Sequence, residues 1–347
     1  LFIETGFDFI TGGSFARRSL KYGRLETEQA HSSRIYSPPS GRDAALRRPQ
    51  TDDNNDNATK RHSRTAQRAV PTRYKSVVWL NLVCLDAPLV SVAWLWLFAR
   101  TFHATIDPVS CAALFLTAWM IYLADRLADS CSLPDQGPRS LRHQFCLDHR
   151  HLWIGALTVI AVVDAVVIWS SLGSEIFLAG AVIGALALIH LLLNHSLGGA
   201  WPPLPLKEFA VGSLFAAGTL VPLFPALRPG GFPMALSALA FASLCTLNCI
   251  SIAYWERELD EAQRKVSFAT RFSDLDRQMR KISLALASIS AVAAIIYREA
   301  AAIFGCVSAS SLLLELLDSS RGRITRDQRT ALADLILLTP LLALLWL

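Results

Sequence analysis

LWIGALTVIAVVDAVVIWSSLGSEIFLAGAVIGALALIHLLL (152–193) decides the fold. Two apolar runs, 152–172 and 176–193, adjoin one another with only Asp164 and Glu175 as charges. A helix rises about 1.5 Å per residue, so about 20 apolar residues cross a hydrocarbon core about 30 Å thick. Comparable runs lie at 77–99, 109–128, 208–226, 232–255, 282–298, 300–317 and 331–347. The expectation is an all-α, polytopic membrane bundle of about nine transmembrane helices. The boundary between the seventh and eighth runs rests on Tyr297, Arg298 and Glu299 alone, so eight is the alternative count.

Composition agrees with this reading. Charged residues make up 18% of the chain, against about 25% in an ordinary soluble domain. Apolar residues make up 52%, and mean hydropathy is +0.37. The formal net charge of +5 is no sign of nucleic-acid binding, because Arg and Lys cluster in the short segments between apolar runs. The seven cysteines form no C-x-x-C pair, and most sit in or beside apolar runs as small hydrophobes.

Residues 1–75 differ from the rest. They are polar and basic, without sustained apolar periodicity, and are expected to form a disordered tail ahead of a transmembrane domain at 76–347. Asp52, Asp53 and Asp56 argue against a transit peptide, and no signal-type apolar region occurs there. The first methionine is Met120, inside an apolar run, so the expected start is either a non-standard codon or a point downstream of Leu1.

Charge between the runs gives an orientation. With the N-terminal tail cytoplasmic, the second, fourth, sixth and eighth connections are cytoplasmic too. These carry Arg139, Arg142 and Arg150; Lys207; Arg257, Arg264, Lys265, Arg271, Arg277, Arg280 and Lys281; and Arg321, Arg323, Arg326 and Arg329. The opposite side has Arg100, Arg228 and Arg298. This is the asymmetry of the positive-inside rule, and it goes with an odd number of spans.

Two acidic helix ends then stand out. WMIYLADRLAD (119–129) closes the second run with Asp125 and Asp129, and NCISIAYWERELD (248–260) closes the sixth with Glu256 and Asp260. Each pair has i, i+4 spacing, which puts both carboxylates on one helix face. Both pairs fall on the cytoplasmic side. Four carboxylates at one depth repel one another without cations, and Mg²⁺ suits carboxylate oxygens and bridges to substrate phosphates. For one pair alone, solvated interfacial charges capping a helix end are the simpler reading, whereas two pairs at matching depth favour the site.

These residues resemble the UbiA superfamily of intramembrane prenyltransferases, which have nine transmembrane helices and the motifs N-x-x-x-D-x-x-x-D after helix 2 and D-x-x-x-D after helix 6. The counterparts here are IYLADRLAD (121–129) and ERELD (256–260), and KEFAVGSLFAAGTLVP (207–222) is similar to the family's lysine-led fifth helix. The likeness spans 77–347. Ile121 stands at the asparagine of the first motif, Glu256 replaces the first aspartate of the second, and a further family aspartate falls near Cys249, beside Asn248. The chain is expected to be a divergent member.

The resemblance implies transfer of a polyprenyl group from its diphosphate to a lipophilic acceptor in the bilayer. Asp125, Asp129, Glu256 and Asp260 would hold Mg²⁺. Arg126, Lys207, Arg257 and Lys265 would contact the diphosphate as charge-assisted donors. Tyr122 and Tyr254 would line the pocket, with Asn248 among the substrate-binding residues. The alternative is a transporter or prenyl-lipid-binding protein without catalysis on the same scaffold, for which Ile121 argues. A third class, the CDP-alcohol phosphotransferases, is disfavoured because the D-G-x-x-A-R run is missing.

Other features are weighed against bland readings. His143, Cys146, His149 and His151, with Cys131 nearby, match no common zinc spacing and are read as a solvated loop. Asp164 lies deep in its run, and a buried membrane acid is a functional candidate by default. His190, Asn194 and His195 are read as interfacial. GSLFAAG (212–218) places small residues at helical spacing for close packing.

Overall fold

A computed structural model of the chain describes residues 75–133, 138–197, 206–227, 231–263, 269 and 275–343. All of them fall within one unit, 69–347. Lys265 and the tail at 1–74 lie outside the described residues. Every regular element among the described residues is helical. In chain order these are α1 (Lys75–Leu82), α2 (Asp86–Thr101), α3 (Pro108–Cys131), α4 (Leu141–Asp148), α5 (Arg150–Ser171), α6 (Ser174–Leu197) and α7 (Leu206–Leu220). After these come α8 (Phe224–Leu227), α9 (Gly231–Trp255), α10 (Arg257–Ala262), α11 (Leu275–Ile296), α12 (Ala301–Ser319), α13 (Arg326–Ile336) and α14 (Pro340–Ala343).

Among the described residues, seven helical stretches are long and apolar enough to cross a membrane: Pro108–Cys131, Arg150–Ser171, Ser174–Asn194, Leu206–Leu223, Gly231–Trp255, Arg277–Ile296 and Arg298–Ser319. The chain is therefore a multi-pass, all-helical membrane protein. Local sequence explains where these helices begin and end. Asp107 caps α3 by accepting from Ser110 N at 3.2 Å, with Pro108 supplying the fixed φ of a first helical position. The seventh and eighth runs are separate helices, because the chain leaves α11 at Tyr297 and passes through a 3₁₀ turn over Arg298–Ala300.

The first and last runs depart from the sequence expectation of unbroken spans. The run 77–99 breaks between α1 and α2, where Cys84 adopts φ +56°, a left-handed conformation costly for a side chain with a Cβ. Trp119 Nε1 donates to the Val83 carbonyl at 3.0 Å, which occupies one acceptor freed by the break. The last run starts earlier than expected. Thr325 and Gln328 form a capping box, with Gln328 N to Thr325 Oγ1 at 3.3 Å and Thr325 N to Gln328 Oε1 at 3.0 Å. This box opens α13 at Arg326, and α13 ends at Ile336. Pro340 opens α14 and does not kink a longer helix.

The core lies where α2, α9, α12 and α13 meet, with α7 and α11 packed against α9. Trp94 stacks on Phe241 with ring centroids 4.3 Å apart, and its Nε1 donates to the Leu337 carbonyl at 2.8 Å. At Gly212 a Cβ would sit 2.5 Å from the Thr246 backbone nitrogen, so α7 and α9 approach as closely as glycine allows. The small-residue stripe read in the sequence is thus a packing seam. By contrast, Val159, Val162, Val166 and Trp169 of α5, and Leu178, Val182 and Leu188 of α6, are exposed. Apolar side chains facing outward along two long helices suit lipid as their solvent.

Candidate functional site

The polar side chains of the bundle gather at one end. The last turns of α3 and α9, the starts of α7 and α13, the short helix α4 and the α1–α2 break all contribute to it. Gln263 Nε2, after α10, donates to the Pro138 carbonyl at 2.9 Å. The segments beyond the two acidic helix ends therefore touch. Both acidic pairs lie at this end.

The α3 end carries its charge inward. Arg126 is 6% exposed although it belongs to an apolar helix. Its guanidinium lies 5.8 Å from the centre of the Tyr122 ring, one turn earlier. Asp125, Asp86, Cys84 and Tyr122 are its electrostatic neighbours, and Asp125 also acts on Cys249 of α9. Arg126 Nη1 is buried and has no hydrogen-bond partner. A buried, unpartnered guanidinium donor is costly, so an acceptor that filled this place would be held firmly. Asp125 and Asp129 are half-buried beside it.

The α9 end is pinned by ion pairs. Glu256 sits in the turn between α9 and α10, where Arg142 Nη2 of α4 donates to its Oε2 at 2.5 Å. Trp255 Nε1 donates to Asp318 Oδ1 at 2.6 Å, and Arg321 Nη1 donates to the Tyr254 hydroxyl at 2.6 Å. Arg321 grips Asp318 with both Nε and Nη2. Tyr254 is therefore tied to α12. Arg257 reaches along the surface to Glu261 at 2.9 Å. Arg329, outside the apolar runs, stacks over Trp255 at 5.6 Å.

Lys207 opens the polar part of α7 within electrostatic reach of Glu208 and of His190 on α6. Among the described residues no three His, Cys, Asp or Glu side chains gather as metal ligands. The donor set at α3 nonetheless fits magnesium, which keeps most of its waters and takes one or two carboxylates together with substrate phosphates. Asp125 and Asp129 supply two such carboxylates one turn apart, with the spare donor of Arg126 beside them. A small cleft at the same end is lined by Val78, Asn81, Leu82, Leu141, Arg142, Asp327 and Thr330, to one side of the acidic pairs.

The remaining candidates find ordinary partners. His143 Nδ1 meets Ser130 Oγ at 3.0 Å, and His149 packs its ring 4.5 Å from Phe145. Burial raises the thiol of Cys146 from its ordinary value, so it stays protonated. Asp164, without a named partner in the sequence reading, accepts from Thr117 Oγ1 at 2.6 Å, which ties α5 to α3.

Sequence reasoning missed a second polar cluster. Asn81 Nδ2 donates to Asp86 Oδ2 at 2.6 Å and to Asp334 Oδ2 at 3.0 Å. Asn248 Nδ2 donates to Asp334 Oδ1 at 3.0 Å. Asn248 is thus committed to Asp334 through its nitrogen, while its Oδ1 is buried and unpartnered. Asp86 and Asp334 are charges inside the apolar runs 77–99 and 331–347, the same signal that drew attention to Asp164.

No family model, no curated protein and no solved structure matches the chain.

Proposed function

We propose that this chain is an intramembrane prenyltransferase-like enzyme, which transfers a polyprenyl group from its diphosphate to a lipophilic acceptor in the bilayer. The observation that carries the reading is the α3 end: two carboxylates one turn apart beside a buried guanidinium with a spare donor. This combination suits a metal-chelated anion such as a diphosphate. In this reading α1–α2 and α13–α14 are the first and ninth spans, one broken and one short, and the polar end faces the cytoplasm. The divergent likeness to the UbiA superfamily belongs to this proposal.

Asp125 and Asp129 would hold Mg²⁺; Glu256, paired with Arg142, and Asp260 do not gather with them as ligands among the described residues of the structure. The metal, when bound, offsets charge on the leaving diphosphate. Arg126 donates to the diphosphate oxygens through Nη1, and Lys207 adds a point charge from α7. Tyr122, held under Arg126, presents an aromatic face to the cationic allyl fragment. The surrounding apolar helices keep water from capturing that fragment.

The second reading is a prenyl-lipid-binding or transport protein without catalysis. Its support is the Arg142–Glu256 pair, which engages the first carboxylate of the second motif, together with Ile121 in the first. One measurement separates the two: binding of geranylgeranyl diphosphate to the protein in nanodiscs, with and without Mg²⁺, and with Asp125→Ala alongside. Enzyme-type binding requires magnesium and falls at least tenfold in the variant. Binding indifferent to both gives the second reading the lead.

A further inference from the structure

The polar end of the bundle is divided by charge. Its α3 and α9 side carries the acidic pairs, whereas the side built by α11, α12 and α13 is basic. Arg277, Arg280 and Lys281 lie in the first turns of α11, and Arg321, Arg323, Arg326 and Arg329 follow α12 and open α13. Among the described residues, these helices carry Glu315, Asp318 and Asp327 as carboxylates at this end. Arg280 Nε lies 3.6 Å from Glu315 Oε1, which sets the start of α11 level with the end of α12.

Two of the arginines have donors to spare. Asp318 is taken up by Arg321 and by Trp255 Nε1, and Asp327 lines the cleft on another face of α13. Arg326 and Arg329, three positions apart, share a face of α13. Arg321 and Arg326 act on Arg329 as like charges, against Asp318 and Glu258 of α10. The Trp255 ring, 5.6 Å from the Arg329 guanidinium, holds that group in place. Arg326 Nε and Arg329 Nε and Nη1 are shielded from water and bonded to no acceptor. Both side chains are half-exposed, so an anion at the surface reaches them. Guanidinium forks match the oxygens of a phosphate group.

The membrane supplies such a group at this depth. Leu312, Leu313 and Leu316 of α12 and Ile282 and Leu284 of α11 are exposed. These apolar side chains stop within about two turns of the basic groups, so lipid chains lying on them bring their headgroups level with the arginines.

We infer that Arg326 and Arg329 hold the phosphate of an anionic phospholipid whose acyl chains run along the outer faces of α11 and α12. The site uses none of the acidic pairs and does not depend on prenyl transfer.

The test is thermal unfolding of the purified full chain in nanodiscs of phosphatidylcholine, with or without phosphatidylglycerol. Phosphatidylglycerol is expected to raise Tm by about 5 °C. The double variant Arg326→Gln with Arg329→Gln should abolish that rise. Arg277→Gln with Lys281→Gln, which removes equal charge from the same side, should keep most of it. Inorganic phosphate added to phosphatidylcholine discs should give no rise. Should the first double variant fold poorly, native mass spectrometry of the wild-type chain reads the site directly, as a saturable phosphatidylglycerol adduct that phosphatidylcholine does not displace. Equal Tm in the two discs, a rise kept by the first double variant, a rise lost equally in the second, or no saturable adduct overturns the inference. A rise reproduced by inorganic phosphate overturns the lipid as its source.

Discussion

The two acidic helix ends share one short pattern, a carboxylate, an arginine, two further residues and an aspartate, yet their arginines meet opposite fates. In DRLAD the arginine is Arg126, buried under Tyr122 with a donor to spare. In ERELD it is Arg257, at the surface and paired with Glu261. The difference comes from where the helix stops. α3 runs on to Cys131, past its motif, so Arg126 keeps an inward position on a continuous helix. α9 ends at Trp255, and the turn at Glu256 sends Arg257 to the surface at the start of α10. A motif's letters specify chemistry, while the helix boundary decides whether that chemistry faces the core.

Substitutions at the arginines test this contrast. The largest effect is expected for Arg126→Met. It leaves Asp86 and Asp125 without their shared cation, so stability should fall by about 3 kcal/mol, and any prenyl-diphosphate affinity should fall at least tenfold. Equilibrium unfolding in detergent and the nanodisc binding assay read the two effects. Arg142→Met comes next, because it strands Glu256, whose pair is only 15% and 12% exposed. A loss of about 2 kcal/mol is expected, with part of it recovered in the double variant with Glu256→Gln; a strictly additive cycle would mean that the pair contributes no coupling. The smallest effect belongs to Arg257→Ala. An exposed i, i+4 pair contributes about 0.5 kcal/mol or less, and diphosphate binding should be unchanged. A tenfold binding loss in this variant would erase the distinction between the two ends.

Much of the architecture was legible because hydropathy is a local quantity. The runs at 109–128, 152–172, 176–193 and 232–255 each became one long helix. Where the reading failed, local signals were weak or pointed elsewhere. Cys84 takes a left-handed conformation without the glycine or asparagine that usually announces one, so the break in the first run had no marker. The true start of α13 was marked by Thr325 and Gln328, but its polar face lowers the mean hydropathy of the segment and hides the helix from an apolar scan. At the candidate site, the sequence picked out Asp125 and Asp129, whose i, i+4 spacing puts them on one predictable helix face, and Arg126 next to them on the same helix. Arg142 with Glu256, and Asp86 with Asp334, belong to different helices. Such pairings depend on packing, which spacing along the chain does not encode.

One contact also has a consequence for how the chain comes to be made. The indole of Trp94 donates to the carbonyl of Leu337, 243 positions later. Synthesis runs from the N-terminus, so α2 enters the membrane long before this partner exists. Until the segment with Asp334 and Leu337 leaves the ribosome, Trp94 and Asp86 must shelter against lipid, water or the insertion machinery. The bundle is therefore closed by a segment made long after α2, and a chain stopped short of Leu337 would present quality-control systems with an open seam beside Trp94.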